Sequence, residues 1–228
     1  AGYLPECYRD KGDGLRVLSV NISERAGRWF VSAQVEMECE PEPIDHNGRV
    51  IGVDLGVAEG NLAVCSNGKV FPNVRALRQA EKKLARLQRE MSRRKKGGKN
   101  RAKSVAKVAK CHARIANIRK HQLHEVSHYL TAKTKPQAIV LEDLNVKGML
   151  SNGHLSKSVA DASMAELRRQ VEYKAFWYGV EVWLASQWEP SSKRCSNCGH
   201  VKEGTMGLDA RTYVCENCGF TLDRDMNA

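Results

Sequence analysis

Arg49-Val50-Ile51-Gly52-Val53-Asp54-Leu55-Gly56 sets four aliphatic side chains around one acid and closes on glycine. The run is short, apolar and rich in β-branched residues, so it reads as a buried strand carrying Asp54 near its exit. Two shorter strands follow, near 61–65 and 69–71, with Asn67-Gly68 between them. Asn-Gly between apolar runs is the strongest short-range hairpin signal. The three segments therefore begin an antiparallel meander whose first strand holds the acid.

Upstream, residues 15–22 and 28–37 alternate apolar and polar side chains, with Trp29, Val31, Ala33, Val35 and Met37 on one face. The Arg25-Ala26-Gly27-Arg28 turn makes them a hairpin. A lone hairpin is marginal in water, so this one is expected to lean on something else. Residues 1–14 show no period, and 41–47 form a linker.

Downstream come two long helices. Leu77, Ala80, Leu84, Leu87 and Met91 recur in steps of three and four, and so do Val105, Val108, Cys111, Ile115 and Ile118 beyond a Gly97-Gly98 break. Each set marks one apolar stripe, and the stripes are expected to face each other in an antiparallel pair. A second helix of about 30 residues would reach about 45 Å, long enough to lie along a duplex. Then follow a strand over 137–142 ending in Glu142, a loop over 147–158, and a helix marked by Met164, Leu167, Val171, Ala175 and Tyr178 and stopped at Gly179. A strand over 180–185 comes next, and a last helix opens at Asp223.

The charge is local. Of 228 residues, 37 are Lys or Arg and 26 are Asp or Glu, a net +11. Residues 75–120 hold eighteen bases and two acids, Glu81 and Glu90, a net +16, while 19 bases and 24 acids elsewhere leave −5. Such a stretch is a phosphate-binding surface or a solvated helix face, and the localisation favours nucleic acid. The tip, with Arg93, Arg94, Lys95, Lys96, Lys99 and Arg101, has no aromatic residue to stack on bases, so it would contact phosphate without reading sequence. No run of about 18 apolar residues exists to span a membrane. No secretory signal is visible. The chain starts at Ala1 and stops at Ala228, and is expected to be a piece of a longer protein cut at both ends.

Four of eight cysteines cluster at Cys195, Cys198, Cys215 and Cys218, while Cys7, Cys39, Cys65 and Cys111 are scattered. This is not a secreted disulfide framework, and a reducing cytoplasm is expected. The spacing C-x2-C, sixteen residues, C-x2-C suits two knuckles closing a tetrahedral zinc site. Gly199 and Gly219 permit the knuckle turns, and four thiolates leave no open position for catalysis. Metal binding on the order of 10 kcal/mol would hold together a module too small for its own core. His200 is a competing ligand. His121, His124 and His128 lie at helical spacing without a nearby acid or cysteine and read as a helix face. Lys193 and Arg211 beside the knuckles are either phosphate contacts or solvated charges.

The element order (three strands, helices, strand, helix, strand, helix) is that of an α/β RNase H-like mixed sheet, with a long helical-hairpin insertion and a four-cysteine zinc ribbon inserted before the last helix. In such a sheet the first and fourth strands are neighbours. Asp54, Glu142 and the acids Asp223 and Asp225 would then converge. Carboxylates so close repel unless cations bind, and two Mg²⁺ ions about 4 Å apart would suit phosphodiester cleavage. Asp223 alone could equally be a helix cap.

The strings IGVDLG (51–56), IVLEDLNVKGM (139–149), SSKRCSNCG (191–199) and YVCENCGFTLDRDMNA (213–228) resemble those of the TnpB (OrfB) family, as do QREMSRRKKGGKNR (88–101) and QVEYKAFWYG (170–179). These are transposon-encoded RNA-guided endonucleases related to type V CRISPR effectors. The resemblance implies a RuvC-like nuclease, which is RNase H-like, with DNA and a guide RNA as partners and no membrane. It implies Asp54, Glu142 and Asp225 as the catalytic residues holding Mg²⁺, with Asp225 rather than Asp223 because it precedes x-Asn-Ala. Cys195, Cys198, Cys215 and Cys218 match the zinc ligands. The family also carries a larger N-terminal region that grips guide RNA, and its last helix continues past Asn-Ala.

The expected domains are 1–47, the remnant of an N-terminal β domain with its linker; 48–190, the nuclease core with the basic hairpin 75–132; 191–220, the zinc ribbon; and 221–228, the start of the last helix. A protein that binds nucleic acid without cutting, as a transposon relic or regulator, is the competing reading. A zinc-ribbon assembly module would leave Asp54 and Glu142 unexplained.

Overall fold

The computed structural model describes residues 16–37, 41–57, 60–186, 188, 190, 193–204 and 212–227, the side chain of Asp225 excepted. Its chain divides into two compact units, Ala1–Glu42 with Val74–Glu125 and Pro43–Asn73 with Val126–Ala228. No described helix is long and apolar enough to cross a membrane.

In the first unit, β1 (Arg16–Arg25) and β2 (Arg28–Glu36) form the expected antiparallel hairpin, with a bulge at Leu18. Register pairs Ile22 with Val31 and Glu24 with Trp29, so the alternating apolar residues share one face. That face is not covered as expected. Both strands are exposed throughout, Trp29 at 72%.

The same unit holds α1 (Ala76–Ser92) and most of α2 (Lys99–His128), a 30-residue helix as anticipated. Leu84 and Leu87 pack against Cys111 and Ile115, with Leu77, Ala80, Val108 and Ile118 at the margins. Glu90 accepts a hydrogen bond from Ser104 Oγ at 3.1 Å, and Arg101 reaches the Met91 carbonyl at 2.9 Å, so the pair is antiparallel. One position departs from the expected stripe. Val105 is 45% exposed, and Ser104 is buried in its place, because its hydroxyl has Glu90 to bond and Glu90 is also met by Lys107 at 3.6 Å.

The second unit is built on a five-stranded mixed sheet of order β5-β4-β3-β6-β7, comprising β3 (Val50–Leu55), β4 (Ala63–Cys65), β5 (Val70–Phe71), β6 (Ala138–Glu142) and β7 (Glu181–Ala185). The first three make the expected antiparallel meander, while β3–β6 and β6–β7 are parallel. Gly56 matters at the exit of β3: a Cβ there would lie 2.6 Å from the Asn61 carbonyl oxygen, so a side chain would push apart the loop that follows Asp54.

After α2 the backbone widens into a π turn, Tyr129–Lys133. Threonine hydroxyls tie it down: Thr131 donates to Ser127 O in the last turn of α2 at 2.8 Å, and Thr134 donates to Tyr129 O and Leu130 O at 3.0 Å. The segment 147–158, expected as loop, instead holds most of α3 (Val146–Ser151) and the start of α4 (Ser156–Ala162). Asn145 caps α3 by accepting the Gly148 N–H at 2.9 Å, and one or two turns are too short to show a period.

The helix α5 (Met164–Trp177) packs on β7 and the π turn, and Met164, Leu167, Val171, Ala175 and Tyr178 are all buried as their spacing implied. The spacing did not reveal Gln170 and Lys174, which are fully enclosed. Lys174 Nζ donates to Ser127 Oγ at 2.7 Å, Ser127 donates to Gln170 Oε1 at 3.2 Å, and Gln170 donates to Glu166 at 3.0 Å. Burial pushes the Lys174 ammonium down to about 8 from the ordinary 10.5.

Between those two values the unfolded chain binds a proton that the folded chain has released, so folding stability rises with pH across the window. Thermal unfolding of the wild type should therefore gain on that of Lys174→Met as pH goes from about 8 to about 10, the difference being the contribution of this one group.

Candidate functional site

Asp54 is the fifth residue of β3, and Glu142 is the last of β6. The parallel ladder pairs Val50 with Ala138, Ile51 with Ile139, Gly52 with Val140 and Val53 with Leu141. One further step sets Asp54 beside Glu142. On β3, Ile51 and Val53 are buried, and Asp54 shares the opposite side with Gly52; on β6, Glu142 shares its side with Val140. The two acids thus stand on one face, at one end of adjacent strands about 4.8 Å apart. Both are half-buried.

The third expected acid rides on α6 (Arg224–Asn227). This helix packs against β4, whose Val64 pairs with Asp54 on the far flank of β3. Asp223 ends β9 (Thr221–Asp223), which pairs antiparallel with β8 (Thr212–Val214), and opens α6 as the residue that caps it: its carboxylate accepts the Met226 N–H at 3.4 Å. Asp143, next to Glu142, turns to Arg168 at 2.7 Å, and Arg168 also holds Glu172 at 2.8 Å. These carboxylates keep the Arg168 guanidinium above its usual range, the Glu172 hydrogen bond most of all.

A cavity of about 450 Å³ opens beside Glu142, lined among others by Leu55, Asn145, Lys147, Arg168 and Arg169. Carboxylates offer hard oxygen donors to a divalent cation, and the flanking bases suit an anionic backbone. Lys147 and Arg168 were missed from the sequence as members of this site. Lys147 sits in a helix that had read as loop, and Arg168 reaches the site only because α5 returns to the sheet.

The four cysteines meet. Cys195 Sγ lies 3.8 Å from Cys218 Sγ, Cys198 Sγ lies 3.6 Å from Cys215 Sγ, and all four fall within 4.8 Å of one another. A tetrahedron with metal–sulfur bonds of about 2.3 Å has edges of about 3.8 Å. The spacing therefore fits a metal ion such as zinc. The two knuckles repeat one design. Gly199 N–H bonds Cys195 O at 2.8 Å and Gly219 N–H bonds Cys215 O at 3.0 Å, both glycines at positive φ (74° and 70°). Cys195 and Cys215 N–H groups close each loop on the carbonyls of His200 and Phe220, both at 2.8 Å. His200 thus serves through its backbone, and among the described residues the cysteines are the one converging set of three or more metal-ligating side chains.

The chemistry of the thiols agrees. Burial raises the Cys215 thiol, but the N–H groups of Cys218 and Asn217 and the neighbouring thiols outweigh it and bring it down to about 6, while burial first of all pushes Cys195 up to about 11. Four sulfurs this close cannot all ionise without a cation among them. Around them Tyr213 is fully buried, donates its hydroxyl to Lys193 O at 3.1 Å, and forms with Cys195, Cys215 and Phe220 the module's small core. Lys193 thus contributes its carbonyl to the fold, and Arg211 lies outside the described residues.

At the tip of the helical pair Arg93, Arg94, Lys95, Lys96 and Lys99 are exposed, as a phosphate contact requires. Arg101 differs: half-buried, it closes the end of α1 through Met91 O. Along the groove between α1 and α2 the bases Lys83, Arg86, Lys107, Lys110 and Arg114 line a cavity of about 650 Å³. The His128 imidazole is held below its usual range by burial and then by Lys174 and Lys133, an environment of cations unsuited to a metal ion.

Fold and site together define a mixed α/β protein with acids at one end of its sheet and four converging cysteine thiols that could hold a metal ion. The family model OrfB_IS605, described as "Probable transposase", matches residues 32–153, and the Cas12f1-like TNB domain matches 165–228. The chain belongs to the OrfB_IS605 family. A protein of Streptomyces pristinaespiralis named "Putative RNA-guided DNA endonuclease" is 40% identical over 95% of this chain and 52% of its own length. Escherichia coli (strain K12) InsQ, of the same description, is 37% identical over 92% of this chain and 54% of its own. The chain spans about half the length of the curated relatives it matches. Its fold is shared by the Cas12f1 chain of a Cas12f1-sgRNA-target DNA complex, with a TM-score of 0.57 and 20% identity over 87% of this chain and 41% of that one.

Purified protein is expected to carry one metal ion per chain, zinc by elemental analysis. Cys215→Ser should lose most of it and expose the buried Tyr213, read as a rise in tyrosine accessibility without loss of the helical circular dichroism signal.

Proposed function

We propose that this chain carries the catalytic core of a transposon-associated, Mg²⁺-dependent, RNA-guided DNA endonuclease. The observation that supports it most is the register that sets Asp54 beside Glu142, with α6 and its Asp225 on the neighbouring strand. The strand order agrees with an RNase H-like, RuvC-like sheet into which a helical hairpin and a zinc ribbon are inserted. The named relatives point the same way. In this reading 48–190 is the nuclease core with the hairpin 75–132, 191–220 the zinc ribbon, 221–228 the start of the last core helix, and 1–47 the end of an N-terminal β domain.

Asp54, Glu142 and Asp225 would hold two Mg²⁺ ions, which when bound supply charge neutralisation and water activation for phosphodiester hydrolysis. The chain's own part is to fix the carboxylates on rigid strands, so that no reorganisation is needed as charge develops. Lys147 and Arg168 hold the phosphates of the strand being cut. The exposed bases Arg93, Arg94, Lys95, Lys96 and Lys99 hold the backbone of the guide–target duplex or the displaced strand, leaving sequence to base pairing. The ribbon, with no open coordination position, shapes the entrance.

Asp54→Ala should abolish Mg²⁺-dependent cutting of a guide-matched DNA. The loss should exceed about 100-fold, the upper range seen when only an outer partner of a metal ligand is removed. Guide and target bound tightly but never cut by the wild type, with Mg²⁺ present, would instead establish the non-cleaving reading. Replacing Arg93, Arg94, Lys95 and Lys96 by Ala should lower the slope of log K against log salt by up to about 3 to 4, nearly one per lost phosphate contact.

A further inference from the structure

Asn227 is 5% exposed, yet it belongs to a helix of four residues. So short a helix has no stability of its own and takes its position from what holds it. The Asn227 carboxamide is that hold on one side. Its Oδ1 accepts both the Ser196 N–H and the Ser196 hydroxyl at 3.0 Å, and its Nδ2 donates to the Arg194 carbonyl at 2.7 Å. Arg194 and Ser196 are the two neighbours of Cys195, so one side chain brackets the first thiol of the metal centre. On the other side α6 packs on β4, the strand that pairs Val64 with Asp54. Asp225 lies two residues before Asn227 on the same helix.

We infer that Asn227 is a positioning residue through which the metal-closed knuckle sets the place of Asp225 beside Asp54 and Glu142. This rests on the reading of those acids as a cation site. The chemistry demands an amide. Only a side chain with an acceptor and a donor at one end serves both neighbours of Cys195. A carboxylate would turn an oxygen against the Arg194 carbonyl, and Ala would remove all three hydrogen bonds. Loss of the ion frees the knuckle, the spacing of Arg194 and Ser196 is no longer imposed, and α6 loses its anchor. The zinc centre thereby becomes a condition for cation binding at a site where it is not itself a ligand.

The test has two independent readouts on the whole chain. In ¹⁵N-labelled protein the Asn227 carboxamide signals, assigned by their absence in Asn227→Ala, should be displaced from the exposed-amide position and return to it when zinc is stripped by a chelator that is then removed. No change on stripping overturns the tether. Second, Mn²⁺ affinity is measured by electron paramagnetic resonance, a hard cation that avoids thiols. Asn227→Ala and Asn227→Asp should keep one zinc per chain and weaken Mn²⁺ binding at least tenfold. Zinc stripping should weaken the wild type by a similar factor but add less than twofold in Asn227→Ala, since both act through one link. Wild-type affinity in the variants, or equal losses on stripping in both proteins, overturns the positioning role. Ser196→Ala, which removes only the hydroxyl bond, should give a two- to threefold loss and covers the case in which Asn227→Ala does not fold. Failure of the underlying reading shows separately, as Asp54→Ala leaving Mn²⁺ binding unchanged while the carboxamide signals still report on the tether.

Discussion

The parallel ladder between β3 and β6 joins residues 50–53 to residues 138–141, and the acidic end of the sheet inherits its register. Because side chains alternate, a slip of one residue would send Asp54 or Glu142 to the opposite face and dismantle the pair. The ladder is held by burial on the other face, where Ile51, Val53, Ile139 and Leu141 are almost wholly enclosed. Hydrophobic alternation thus sets the two acids side by side at one end of the sheet.

Around this ladder the second unit uses polar groups sparingly and with partners. The chain Lys174–Ser127–Gln170–Glu166 runs from the interior to the surface and links α5 to the end of α2 just before the π turn. An ammonium at the enclosed end costs stability that an apolar residue would not, a cost that the bond to Ser127 offsets only in part. The four-thiol module reaches order differently. Its core is Tyr213 with two of the cysteines and Phe220, too little apolar area for independent folding, so a metal ion held by the four thiols would supply the cohesion. In the helical pair of the first unit Leu84, Leu87, Cys111 and Ile115 pack along one seam, and the Ser104–Glu90 bond joins the two helices nearer the tip.

Much of this could be read from local pattern. The Val50–Leu55 strand, the Asn67-Gly68 turn, the two long stripes and the paired C-x2-C knuckles each state their structure within a few residues, because alternation, helical period and ligand spacing are local properties. Readings failed where the signal was too short or the environment remote. α3 and α4 run for one or two turns and show no period, so they had read as loop. Val105 fitted the stripe as well as its neighbours, but Ser104 took the inner position because Glu90, on the other helix, offers a bond.

By itself, then, the amino-acid sequence determined the type of the longer elements, the clustered cysteines, the basic stretch and the identity of the acids worth watching, since each is a matter of residue type and spacing along the chain. The tertiary structure alone decided the register that sets β3 against β6, that Lys174 and Gln170 are enclosed, that Arg101 closes a helix rather than facing solvent, and that Asn227 grips both neighbours of Cys195. These depend on partners tens of residues away, brought together by burial of apolar faces. No local pattern encodes which partner that will be.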